Sequence, residues 1–177
     1  MPKCSCQNSF FAFVIFFIWI ADSEHQQRGL HLIISHKRRI APEAVDPTVK
    51  NYHWLDMVTG LYEAYERGGE MAVMVDEYGH LVEGPGFNVF AVQDETIITL
   101  AQGMLEGVTR RTVLELAQAQ GLGVEARALT ADETRGGDEV FITSTAGGIM
   151  PVTAVDGQTV GDGGPGPVTL ALHTAYW

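Results

Sequence analysis

Between Met71 and Leu100 the chain is cut into apolar runs too short for helices, and this stretch most limits what it can fold into. Met71 to Val75 and Leu81-Val82 flank the polar turn Asp76-Glu77-Tyr78-Gly79; Phe87 to Val92 and Ile97 to Leu100 surround Gln93-Asp94-Glu95. Brief apolar runs separated by turn residues read as successive antiparallel strands. A sheet therefore has to form, and the remaining segments have to cover it.

Gly29 to Ser35 reads as another strand, followed by the basic run Lys37-Arg38-Arg39 and a loop that carries Pro42 and Pro47 and ends at Lys50. From Trp54 to Tyr65, apolar residues recur at Trp54, Met57, Val58, Leu61, Tyr62 and Tyr65. That is the three-four spacing of an amphipathic helix, stopped by Gly68-Gly69. Thr109 to Gln120 forms a second helix with Gly121 behind it, and its N-terminus is the segment Gly107-Val108-Thr109. Val124 to Leu129 is a short strand, and Thr130-Ala131-Asp132-Glu133 fits a capping box. Val140 to Thr143 is a buried strand that delivers two hydroxyls and a glycine turn, Ser144-Thr145-Ala146-Gly147-Gly148, to one place. Gly157 to Pro167 is a loop, and the segment ending at Trp177 can close the chain as a helix. The class is α+β.

At 177 residues with 46% hydrophobic content the expectation is one compact domain. The net charge of -11 argues against nucleic acid and anionic membrane surfaces and favours small-molecule partners. Cys4 and Cys6 are the sole cysteines, which leaves no disulfide framework or zinc quartet and fits a reducing, cytoplasmic setting; no metal site is expected. Phe10 to Ile20 is an unbroken apolar run, shorter than the ~20 residues of a membrane span and without a small-x-small cleavage site after it. A buried strand, or a stretch that packs on a partner domain, is the preferred reading, with a secretion signal or a membrane anchor as alternatives.

Four ordered motifs carry a family resemblance: Asp46-Pro47-Thr48-Val49-Lys50-Asn51, Val82-Glu83-Gly84-Pro85-Gly86-Phe87-Asn88-Val89, Gly107-Val108-Thr109-Arg110 and Thr143-Ser144-Thr145-Ala146-Gly147-Gly148. Together they resemble the class IV (fold type IV) pyridoxal-phosphate aminotransferases. Lys50-Asn51-Tyr52-His53-Trp54 and the stretch Gly161 to Pro167 look most like the (R)-selective amine transaminases, beside the branched-chain aminotransferases. The resemblance implies the large cofactor-binding domain of the D-amino acid aminotransferase-like architecture over residues 28-177, a pseudo-barrel of mixed strands with flanking helices, preceded by an atypical segment, 1-27.

The resemblance also implies roles. Lys50 is the amine that binds the aldehyde of pyridoxal 5'-phosphate and shuttles the substrate proton, chemistry open to a desolvated lysine. Glu83 pairs with the pyridine nitrogen. Gly107, Val108 and Thr109 form a phosphate cup at a helix N-terminus, where free N–H groups and the helix dipole favour an anion, and Ser144 and Thr145 add hydroxyls. Asn88 borders the cofactor, while Trp54, Ala146 and Gly147 border the substrate, an amine or amino acid that exchanges its amino group with a 2-keto acid in a ping-pong reaction. Family members are homodimers. They also carry a smaller N-terminal domain that supplies a phosphate-binding arginine and part of the substrate pocket. Here 49 residues precede Lys50, and Arg38 and Arg39 do not occupy that arginine's position. The chain is thus expected to be a truncated or divergent aminotransferase; the alternatives are a non-catalytic domain that keeps the fold, or a lyase of the same fold such as aminodeoxychorismate lyase.

Overall fold

The computed structural model describes residues 12–14 and 22–177, so the expected Phe10 to Ile20 strand lies outside the described residues apart from Ala12, Phe13 and Val14, which are exposed and in no regular element. The elements run α1 (Ser23–Arg28), β1 (Leu30–Arg38), α2 (Leu55–Glu66), β2 (Met71–Val75), β3 (Asn88–Gln93), β4 (Thr96–Thr99), α3 (Val108–Ala119), β5 (Gly123–Ala126), α4 (Ala131–Arg135), β6 (Glu139–Ser144), β7 (Gly148–Val155), β8 (Gln158–Thr159) and α5 (Pro167–Tyr176). One mixed sheet joins the strands in the order β2-β1-β7-β6-β3-β4-β5, with β8 on β7.

The sheet curls. Val73 of β2 and Ile98 of β4 belong to one buried cluster, together with Leu32, Val89, Ile142, Met150 and Val152, although β2 and β4 lie at opposite ends of the strand order. Leu81, bridged to Val75 of β2, donates its N–H to Leu129 O beyond β5 at 2.8 Å, so the two ends of the strand order approach each other as in a sheet rolled toward a barrel. The alternate residues Phe90, Phe141 and Ile149 face outward and are covered by Val113 and Ala117 of α3 and Leu172 of α5. Phe90 and Phe141 stack with ring centroids 4.7 Å apart. The expected α+β pseudo-barrel with flanking helices is therefore present.

Two sequence expectations change. β3 and β4 form the foreseen antiparallel hairpin, its two-residue turn at Asp94 and Glu95 with both φ angles positive. β2, however, is not the neighbour of β3: it pairs in parallel with β1, and three strands separate it from β3. Its antiparallel partner is the local segment after the turn, where Val82 N–H donates to Met74 O at 2.9 Å. The central strand β7 is disguised in the sequence by the glycine pair at its start and by Pro151, a residue that reads as a strand breaker.

The α2 helix forms where its spacing predicts, but it turns a different face inward. Its buried residues are Met57, Gly60 and Ala64, while Leu55, Val58, Tyr62 and Tyr65 are exposed. Close approach decides this: a Cβ at Gly60 would stand 2.6 Å from Met74 Sδ and 3.2 Å from Ser35 Oγ. The small residues let the helix lie against β1 and β2, and the large ones stay outside.

Glu70, at the entry to β2, ties the ends of α1 and β1 together by accepting from His31 N–H at 2.9 Å and from both terminal nitrogens of Arg28. The Arg28 guanidinium outweighs partial burial and holds the Glu70 carboxyl at about 2, below its ordinary 4.5. A depressed carboxylate stabilises the fold above its unfolded pKa and loses that contribution as pH falls through the folded one. Glu70→Gln should cost about 1–2 kcal/mol at neutral pH in urea denaturation. The two proteins should converge in stability as pH drops from 4.5 toward about 2.

Candidate functional site

A cavity of about 360 Å³ opens at one end of the curled sheet. Its wall includes Lys50, Trp54, Glu83, Asn88, Gly107, Val108, Thr109, Ser144 and Thr145, so every residue expected to contact the cofactor reaches one place. Ala146 and Gly147 are not among the lining residues; they continue the turn beyond Thr145. Gly147 N–H donates to Ser144 Oγ at 2.9 Å, so the Ser144 hydroxyl also shapes that turn.

Lys50 sits in the loop between β1 and α2, which short side-chain bonds hold in shape. Asp46 accepts from Thr48 N–H at 2.9 Å and Thr48 Oγ1 at 2.7 Å, and Asn51 Oδ1 accepts from His53 N–H at 2.9 Å. Asp56, in the first turn of α2, fastens both ends. It accepts from Ile40 N–H at 2.8 Å and from Arg39 Nη1 at 2.7 Å, while Nη1 also donates to His53 O at 3.2 Å. Burial pushes the Asp56 carboxyl up, but the Arg39 guanidinium and the backbone donors more than offset it, and its pKa lies below the ordinary value.

Glu83 is 6% exposed. Its Oε2 accepts from Leu105 N–H at 2.9 Å, and its Oε1 lies 3.5 Å from both Nε and Nη2 of Arg39. That separation makes an ion pair, yet Arg39 Nε is left without a hydrogen bond among the described residues. Burial pushes the Glu83 pKa up; the Leu105 N–H and Arg39 pull it back only in part. A carboxylate in this condition, on the wall of an open cavity, gains from any further cation or donor within reach.

The turn that follows Glu83 is built for close approach. Gly84 N–H donates to Phe87 O at 3.2 Å and Phe87 N–H donates to Gly84 O at 3.3 Å, with Pro85 and a positive-φ Gly86 between them, the residue pattern of a type II turn. Asn88 then begins β3 and donates through Nδ2 to Leu105 O at 2.8 Å. A Cβ at Gly107 would collide with Asn88 Oδ1, so glycine is required where α3 starts.

Helix N-termini decide the chemistry of the opposite wall. Asp22 caps α1, the Thr130-Glu133 box caps α4, and Asp56 lies in the first turn of α2. For α5 the buried Glu139 accepts from Val168 N–H at 2.9 Å and Thr169 N–H at 2.8 Å. α3 has neither a side-chain cap nor an acidic residue in its first turn, and its Val108 and Thr109 line the cavity. Free N–H groups and the positive end of the dipole there make an anion site.

Sequence reasoning missed Arg39, Asp56 and Thr143 as parts of this site. Arg39 and Thr143 line the cavity, and Asp56 positions Arg39. The available signals were weak: an acidic residue just inside a helix start, and a threonine in an otherwise apolar strand.

Comparison with known proteins agrees with the geometry. The sequence model of the class IV amino-transferases matches residues 3–155. The chain belongs to that family. It is 39% identical to a D-alanine aminotransferase of Bacillus licheniformis over 129 residues, which are 72% of this chain and 45% of that protein. It is 38% identical to a branched-chain-amino-acid aminotransferase of Pseudomonas aeruginosa over 128 residues, 72% of this chain and 42% of that one. A crystal structure of the branched-chain amino acid aminotransferase from Thermobaculum terrenum, in its PLP-bound holo-form, superposes with a TM-score of 0.83 at 31% identity, over 88% of this chain and 52% of that one. The chain thus spans about half the length of the relatives it matches.

Removing Asp56 leaves Arg39, only 6% exposed at its side chain, with the 3.5 Å contact to Glu83 alone. Asp56→Ala is expected to cost about 1.5–3 kcal/mol. Adding Arg39→Met and Glu83→Gln removes all three charges and should recover part of that loss, as read from denaturation midpoints.

Proposed function

We propose that this chain forms the cofactor-binding half of a pyridoxal 5'-phosphate-dependent aminotransferase that moves an amino group from an amine or amino acid to a 2-keto acid. One observation carries the reading: an amine at Lys50, a buried and under-compensated carboxylate at Glu83, and a helix N-terminus with neither a side-chain cap nor an acidic residue in its first turn line the same cavity. Those groups fit the aldehyde, the ring nitrogen and the phosphate of that cofactor, and they come from three separate segments of the chain.

When bound, pyridoxal phosphate supplies an electron sink for a carbanion and a temporary carrier for the amino group. The residues supply the rest. Lys50 Nζ would hold the group at its aldehyde and, once free, could take and return the proton of the substrate carbon. Glu83, anchored by Leu105 N–H and Arg39, would accept from the ring nitrogen and favour its protonated form. The N–H groups of Val108 and Thr109, with the Thr109 and Thr145 hydroxyls, would hold the phosphate; Gly107 and Asn88 set the position of that helix start. Ser144 shapes the adjoining turn. Trp54 flanks the substrate, with Ala146 and Gly147 at the rim.

The exposed row Leu55, Val58, Tyr62 and Tyr65 on α2 supports assembly as a homodimer. A cytoplasmic location fits the cysteine usage, and among the described residues no helix is long and apolar enough to cross a membrane.

Purified chain incubated with pyridoxal phosphate and then desalted should keep a visible absorption band that Lys50→Ala lacks. Glu83→Gln should retain the covalent band but release cofactor faster on dialysis. A wild-type chain that keeps no more cofactor than Lys50→Ala would make the fold a non-catalytic relic.

A further inference from the structure

Thr143 is a buried side chain that neither the core nor the proposed chemistry uses. It is 1% exposed, its Oγ1 has no hydrogen-bond partner among the described residues, and it lines the cavity. Other buried threonines have found acceptors: Thr134 Oγ1 donates to Thr130 O at 2.8 Å, Thr169 Oγ1 to Glu139 Oε2 at 2.7 Å, and Thr99 Oγ1 reaches Val89 O at 3.4 Å. A hydroxyl out of water without a partner is unfavourable, and native structures seldom tolerate one.

The position would suit an apolar residue. Thr143 follows Val140, Phe141 and Ile142 in β6, a strand buried along its whole length. It stands opposite Asn88 of β3 and Ile149 of β7, so no strand edge gives it solvent. Valine has the same branched shape and the same preference for strands. A threonine here adds only a buried hydroxyl without a partner, in a residue that lines the cavity.

We propose that Thr143 is a ligand-binding residue of this site, its hydroxyl hydrogen-bonding to the cofactor that the cavity holds. The proposal rests on the pyridoxal phosphate reading and adds a contact to it. It predicts opposite effects on the empty and the loaded protein, because the hydroxyl is unsatisfied in one and satisfied in the other.

Thr143→Val and Thr143→Ser test it against wild type. Thermal unfolding without cofactor should leave Thr143→Val as stable as wild type or more so. Titration with pyridoxal phosphate, followed by visible absorption, should show Thr143→Val binding on the order of tenfold more weakly. Thr143→Ser, which keeps the hydroxyl, should restore most of the affinity. Parallel titration with inorganic phosphate places the contact: weakened phosphate binding puts it on the phosphate group, and an unchanged value puts it on the ring. Equal pyridoxal phosphate affinity of Thr143→Val and wild type would overturn the proposal. So would a marked loss of stability in cofactor-free Thr143→Val, which would show an internal partner. Failure of wild type itself to bind pyridoxal phosphate would instead sink the functional reading, and the comparison with Lys50→Ala separates the two results.

Discussion

Arg39 is held between two carboxylates, Asp56 and Glu83, and three segments that meet at the cavity depend on it. The Lys50 loop begins beside Arg39 and returns to α2 beside Asp56, so the same ion pair closes both ends. The turn after Glu83 is placed by the other carboxylate. Burying three charges is costly, and an apolar substitute for such a triad can be as stable. What the charges add is position: a guanidinium with directional donors sets Glu83 and the loop relative to each other, which apolar packing specifies less sharply. The cost falls on Glu83, whose pKa stays raised because burial outweighs the Leu105 N–H and an Arg39 that it shares with Asp56. The site thus keeps a carboxylate short of compensation where a ring nitrogen would supply it.

The scaffold beneath this is set by close approach. α2 lies on β1 and β2 through Gly60 and Ala64, a Cβ at Gly84 would meet the Phe87 ring and Ala72 O, and Gly107 comes against Asn88. Each contact brings the glycine backbone against a packed side chain or a carbonyl, where added side-chain volume would push the elements apart. The left-over volume of α2, its aromatic row, remains on the surface.

How much of this could be read in the sequence follows from the range of the forces involved. Helices and hairpins showed because their signals are local: the three-four spacing before Gly68, the polar turn at Asp94 and Glu95, the capping box at Thr130. The cavity residues could be named because motif spacing carried a family resemblance, and Lys50, Glu83, Thr109 and Thr145 do converge on one cavity. Pairing partners did not show, since the parallel contact of β1 with β2 depends on a crossover through α2 that leaves no mark in either strand. The inward face of α2 was misread because hydrophobicity favours the large residues, whereas packing against a sheet selected the small ones. Arg39 and Asp56 were hidden because a buried ion pair far apart in sequence has no period.

β6 shows how one strand serves all three levels. Side chains two residues apart share a face, and on one face of β6 stand Glu139, Phe141 and Thr143. Glu139 receives the N-terminus of α5, Phe141 stacks on Phe90 in the outer core, and Thr143 reaches the cavity. The same register that neutralises one helix start with a carboxylate leaves α3 uncapped beside a free hydroxyl. An acidic side chain in place of Thr143 would add negative charge to a cavity wall that already carries Glu106, and would compete with an anion for the N–H groups and hydroxyls there. Threonine adds a hydroxyl to that end of the strand without adding charge.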